Sequence, residues 1–190
     1  PHLDPGTSAA LQMELSIPLP LRGDADMVDG AYNAAAQQVA AHLRDGMDVA
    51  IPCLGDPLFY GSFARLGEKL AADWPVSVVP GVCAPLAAGA MARLIAVLGD
   101  ESFSVLPATL PDAALETRLR ATDAAAIIKI GRHADRLRSL LDRMGVAKRA
   151  LYLRNATMPD QHIMPLALLP PGPVPYFSLV LVPGRNHAPW

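Results

Sequence analysis

Cysteine is scarce in this chain, with 2 among 190 residues. Cys53 and Cys83 have no CxxC or HxxxH spacing beside them, which excludes a disulfide scaffold and a zinc centre. They read as two reduced, buried thiols. No apolar run approaches the roughly 18 residues that a membrane helix needs, because Gly, Pro or a charge interrupts each one. The start, PHLDPGTSAALQ, has neither the basic head nor the apolar core of a signal peptide. A reducing cytoplasm is therefore the expected compartment. A global basic field is lacking too: 16 Lys and Arg face 18 Asp and Glu, for a net charge of −2. Non-specific nucleic-acid binding is not expected from such a balance. The lysines are Lys69, Lys129 and Lys148, so most positive charge is arginine, the better planar partner for carboxylates.

Hydrophobic residues make up 52% of the chain and charged ones 18%, and the mean hydropathy is +0.26. That balance excludes an intrinsically unstructured chain. Residues 1–25 are punctuated by Pro and Gly, with one short apolar stretch at Leu15–Ile17. From Asp26 the spacing of Val28, Tyr32, Ala35, Val39 and Leu43 predicts a helix, capped by Asp24 or Asp26 and closed by Gly46. Asp48–Leu54 and Val76–Val79 read as short buried strands. Between them a helix over Ser62–Asp73 turns Phe59, Phe63, Leu66 and Leu70 inward. A small-residue helix follows at Ala84–Leu94.

Near Gly99 the rhythm restarts. Strands are predicted at Ser102–Leu106, Ala124–Ile130, Ala150–Arg154 and Tyr176–Val182. Helices are predicted at Asp112–Ala121 and His133–Met144. Alternating apolar strands and amphipathic helices predict an α/β fold with sheets covered on both faces. Two lobes are expected, 1–98 and 99–190. The first offers few strands for a complete sheet, as though its beginning were absent.

Three segments share one design, in which a strand ends, a glycine follows and a helix begins: Leu54-Gly55-Asp56-Pro57, Pro80-Gly81-Val82-Cys83-Ala84 and Ile130-Gly131-Arg132-His133. Ligands of open α/β sheets bind at the carboxyl ends of strands, where glycine permits close approach and a helix start offers free N–H groups. Packing alone also explains any one of these turns. GxxxxGK[ST], GxGxxG and GxSxG are all absent. The five histidines show no metal spacing. Only His133, beside one of these loops, has a functional reading, set against that of a surface residue at a helix start.

The string GDPLFYGSF at 55–63, followed by VPGV at 79–82, resembles the tetrapyrrole (corrin/porphyrin) methylase family. LPATLP at 106–111, IKIGR at 128–132, RNATM at 154–158 and PYFSLV at 175–180 continue the resemblance in order. It spans residues 12 to 184. It implies a two-lobed α/β fold with S-adenosylmethionine in the cleft between two αβα lobes, S-adenosylhomocysteine as product, and a homodimer. The family's opening strand and glycine-rich loop are expected to be missing here. The cofactor contacts it implies are Leu54, Gly55, Asp56 and Phe59, then Cys83 and Ala84, then Ile130, Ala156 and Ser178. Asp56 either touches the cofactor or only orders its loop.

GDPLFYGSF and LPATLP point, within the family, to methylation of precorrin-2 at C20 in cobalamin biosynthesis. Alternatives are another corrin position, cobalt-factor-2 as substrate, or a non-catalytic cofactor-binding remnant. Arg132, Arg154 and Arg185 are candidate clamps for substrate carboxylates, as against solvated surface residues. Tyr60 and Phe63 either line the macrocycle or pack their helix. No nucleophilic triad and no general base are identified.

Overall fold

The computed structural model describes residues 13–20, 23–184 and 187. Arg185 lies outside them. Two compact units divide at Pro80 and Gly81. The boundary expected between 98 and 99 falls inside the second unit.

In the first unit, α1 (Ala25–Arg44) begins where Asp24 accepts the Met27 N–H at 2.8 Å. That bond satisfies one of the donors a helix start leaves open. The helix stops at Asp45, followed by Gly46 with φ +79°. Its Tyr32, Ala35 and Val39 pack against Leu66 and Leu70 of α2 (Phe63–Ala71). Lys69 Nζ fastens the pair, donating to Asp29 Oδ1 at 2.8 Å and Asn33 Oδ1 at 2.6 Å. Gly67 leaves room for the Phe63 ring, which a Cβ would crowd at 3.0 Å.

The strands expected at 48–54 and 76–79 do not form. Among the described residues of this unit no sheet ladder exists, and Ile51 of the first segment packs instead against the α1–α2 core. Val76, Val78 and Val79 are exposed rather than buried. An apolar run becomes a strand only when another strand completes its hydrogen bonds.

The second unit holds α3 (Ala84–Met91), β1 (Phe103–Pro107), α4 (Asp112–Arg120), β2 (Ala124–Ile128), α5 (Ala134–Arg143), β3 (Leu151–Arg154), β4 (His162–Pro165) and β5 (Ser178–Val182). The sheet order is β1-β2-β5-β3-β4. β1 and β2 are parallel, and the other three pairings are antiparallel. The sheet is therefore mixed. β4 was not expected from the sequence.

Alternation along the strands supplies two cores. Ala125, Ile127, Tyr152, Val180 and Val182 face Leu115 and Leu119 of α4 and Leu137, Leu140 and Leu141 of α5. Ala126, Leu153, Leu179 and Leu181 face Ala88 of α3 and Leu94. Each fully buried leucine contributes about 1.5–3 kcal/mol. Both faces are covered, which is why β2 and β5 read as continuous apolar runs.

Candidate functional site

The pairings place the carboxyl ends of β1, β2 and β3 and the starts of β4 and β5 on one edge of the sheet. Arg154 pairs in register with Ser178 on one side and His162 on the other. The ladder runs on where the Asn155 N–H donates to the Phe177 carbonyl at 2.8 Å. Ile130, Arg132, Arg154, Ala156 and Ser178 thus gather at this edge from separate stretches of sequence.

The backbone is bent sharply along the same edge. Lys129 (φ +57°), Asn155 (φ +50°) and Thr157 (φ +71°) are all left-handed, a conformation costing about 1 kcal/mol or more for a residue with a Cβ. Side chains hold the β3 turn: Asn155 Nδ2 donates to Asp160 at 2.6 Å, and Gln161 accepts the Thr157 N–H at 2.7 Å. These three strained positions could not be read from the sequence.

Ser178 is buried, and its hydroxyl shares a 2.9 Å hydrogen bond with the Tyr152 hydroxyl. Its hydroxyl is thus satisfied within the protein, and its N–H donates to the Tyr176 carbonyl at 2.9 Å. Ile130 is buried with its side chain in the α4–α5 core, so it can serve a ligand only through main-chain atoms. Arg154 Nε is buried with no hydrogen-bond partner, and such an atom costs about 1–3 kcal/mol unless something binds it.

Arg132 is exposed, its Nε 3.5 Å from His133 Nε2. Burial, and the charges of Arg136 and Arg132, push His133 below its ordinary value of 6.5. It is therefore neutral near pH 7 and adds no cation to the edge. Arg136 ties α5 to the LPATLP segment through Asp112 and the carbonyls of Ala108 and Leu110.

Cys83 and Ala84 begin α3. The Cys83 side chain makes no capping bond, while its carbonyl accepts the N–H groups of Leu86 and Ala87. With Pro85 lacking an N–H, the Ala84 N–H is the donor presented at the helix mouth. Farther along, α3 lines an apolar cavity of about 280 Å³ with Phe103, Ala124 and Leu181. Pro85 and Leu86, next in sequence to Cys83 and Ala84, also line that cavity, which otherwise sits at the starts of β1 and β2 and the end of β5.

The first unit carries the remaining candidates on one loop. Gly55 has φ +83°, and Leu54 is 75% exposed. Asp56 Oδ1 accepts the Leu58 N–H at 3.0 Å, so its carboxylate orders the loop by an Asx turn. Gly61 is obligatory, because a Cβ there would meet the Pro57 carbonyl at 2.9 Å. Phe59 does not turn inward as expected. It is exposed and meets Tyr60 edge to face at 5.1 Å. Tyr60 is left-handed (φ +57°) and 52% exposed. Phe63 is half-buried against Gly67. Cys53 donates weakly to the Ile51 carbonyl at 3.6 Å, and burial raises its thiol above the ordinary 9.0, which keeps it protonated and unreactive.

The profile described as Tetrapyrrole (Corrin/Porphyrin) Methylases matches residues 8–169. The chain belongs to the tetrapyrrole methylase family. It is 42% identical over 185 residues to a precorrin-2 C(20)-methyltransferase from Sinorhizobium sp, covering 93% of this chain and 76% of that protein. Among solved structures, the methyltransferase CobJ superposes with a TM-score of 0.60 at 24% identity, over 85% of this chain and 74% of its own. Uroporphyrin-III C-methyl transferase from Thermus thermophilus, complexed with S-adenyl homocysteine, gives 0.52 at 21% identity, over 80% and 73%. These superpositions place the methylase fold on the chain. The GDP loop, the start of α3 and the sheet edge are where the sequence motifs of this methylase fall.

Proposed function

We propose that this methylase transfers a methyl group from S-adenosylmethionine to C20 of precorrin-2 in cobalamin biosynthesis. What supports the substrate most is the 42% identity with the Sinorhizobium protein of that name. A cobalt-precorrin-2 C(20)-methyltransferase of Salmonella typhimurium is 26% identical, which favours the metal-free substrate. A homodimer in the cytoplasm belongs to the same reading.

The residues fit the donor. A methionine carboxylate and a ribose need N–H groups and carbonyls at close range, and an adenine needs apolar surface. In this reading the first need falls to the Gly55 backbone on the first unit and, on the second, to the Ala84 N–H and the backbone at Ile130 and Ser178. Leu54, Phe59 and Ala156 supply the second, and the Cys83 thiol adds a weak donor. When bound, S-adenosylmethionine would supply a methyl on a sulfonium: the C–C bond forms as the C–S bond breaks, the neutral thioether leaves without an acid, and the C20 proton is lost to solvent.

The protein's task is then orientation, which can lower a barrier by about 7–11 kcal/mol. Asp56 holds the GDP loop in shape. Arg132 and Arg154 bind substrate carboxylates, Arg154 gaining a partner for its buried Nε. Tyr60 contributes a substrate-facing ring.

Calorimetry with S-adenosylhomocysteine, followed by turnover of precorrin-2, tests the reading. Micromolar binding and a product heavier by one methyl group are expected. Tight cofactor binding without turnover would instead mark a binding module.

A further inference from the structure

Tyr176 and Phe177 are the two rings of the PYFSLV segment at 175–180. Tyr176 and Phe177 stand immediately before β5, on the edge that carries Arg154 and Arg132. Their backbone is fixed: the Phe177 carbonyl takes the Asn155 N–H at 2.8 Å, and the Tyr176 carbonyl takes the Ser178 N–H at 2.9 Å. The rings meet edge to face, with centroids 5.1 Å apart and planes at 77°. Even so, Tyr176 is 67% exposed and Phe177 48%. Two adjacent aromatic rings held rigidly in water are a binding surface in wait rather than a packing contact.

Charge says what they would meet. Lys129, Arg132 and Arg154 lie at the ends of the neighbouring strands. His133 is close to neutral, His162 is exposed at the start of β4, and Asp160 is engaged by Asn155. An apolar face bordered by cations is complementary to a flat ring system with carboxylates on its rim. A membrane surface matches less well, because the rings sit on a strand edge rather than along an amphipathic helix.

We propose that Tyr176 and Phe177 seat the face of the tetrapyrrole macrocycle while Arg132 and Arg154 bind its peripheral carboxylates. This rests on the methyl-transfer reading above and adds two substrate-binding residues to it. It also makes the β5 entry a determinant of which macrocycle is accepted.

The test uses the full-length enzyme carrying Tyr176→Ala with Phe177→Ala, beside the conservative pair Tyr176→Phe with Phe177→Tyr. The alanine pair is expected to raise KM for precorrin-2 at least tenfold, with kcat changed less than threefold. Its Kd for S-adenosylhomocysteine stays within twofold, and the conservative pair stays near wild type. An unchanged KM overturns the proposal. So does a parallel loss of S-adenosylhomocysteine affinity, which would assign the rings to the adenine.

Fluorescence titration with uroporphyrin III, a tetrapyrrole octacarboxylate, separates this inference from the reaction itself. If wild type does not turn over precorrin-2 but binds uroporphyrin III, and the alanine pair loses that binding tenfold, the seat stands while the C20 assignment falls. Equal binding by both proteins, or none by wild type, overturns the seat.

Discussion

Replacing Ser178 by alanine tests how this edge is built. The Ser178 hydroxyl is the partner of the Tyr152 hydroxyl at 2.9 Å, and Tyr152 is only 3% exposed. Ser178→Ala leaves the phenol buried with no other partner, at a cost of about 1–3 kcal/mol. Tyr152→Phe leaves a serine hydroxyl that can turn to a nearby carbonyl, and is expected to cost about 1 kcal/mol. The double variant removes both groups, so its loss falls short of the sum by about 0.5–1.5 kcal/mol. In a chain of 190 residues each kcal/mol shifts Tm by about 2–4 °C. Urea and thermal unfolding of the three variants measure this. With its hydroxyl engaged by Tyr152, Ser178→Ala is expected to keep its S-adenosylhomocysteine affinity within twofold. Additive losses would show that the two hydroxyls are not coupled. A tenfold loss of cofactor affinity with unchanged stability would show that the hydroxyl serves the ligand instead.

Three further outcomes are expected. Arg154→Met removes the unpartnered Nε and should leave stability unchanged or raise it by about 1 kcal/mol, while KM for precorrin-2 rises at least tenfold; lost stability with unchanged KM contradicts this. Gly55→Ala and Gly46→Ala should each cost about 1 kcal/mol, since both glycines are left-handed. Only Gly55→Ala should weaken S-adenosylhomocysteine binding, by tenfold or more in a calorimetric titration. The third concerns Glu101, held below its ordinary 4.5 first by the hydrogen bond from His187 at 2.6 Å and then by the Leu98 N–H. A depressed carboxylate contributes stability above its unfolded value, and that contribution disappears as pH falls through the lower folded value. Glu101→Gln should therefore lose less stability than wild type between pH 6 and pH 3. Parallel pH profiles would remove Glu101 from the account.

The second unit was largely legible because its signals are local and mutually consistent. AAAII and SLVLV are apolar throughout, as strands buried on both faces must be, and Leu137, Leu140 and Leu141 repeat at helical spacing. β4 escaped notice because HIMP is a half-exposed edge strand ending in proline, with no apolar run to betray it. In the first unit, DVAIPCL and VSVV have strand composition but no ladder, and composition does not reveal whether a neighbour exists. The motif residues of the edge came from resemblance, because Arg154, Ser178 and Ile130 meet only through sheet order. The left-handed Lys129, Asn155 and Thr157 carry no compositional mark, and neither does the unpartnered Nε of Arg154. Phe59 was placed inward by helical spacing, but the Asx turn at Asp56 carries it out into solvent instead.

The most direct measurement supplies methyl-labelled S-adenosylmethionine and precorrin-2 to the full-length enzyme and reads the product by carbon-13 NMR. The label should appear on a single meso carbon, C20. A label on any other carbon, or recovery of unmethylated precorrin-2 with the cofactor bound, would contradict the account.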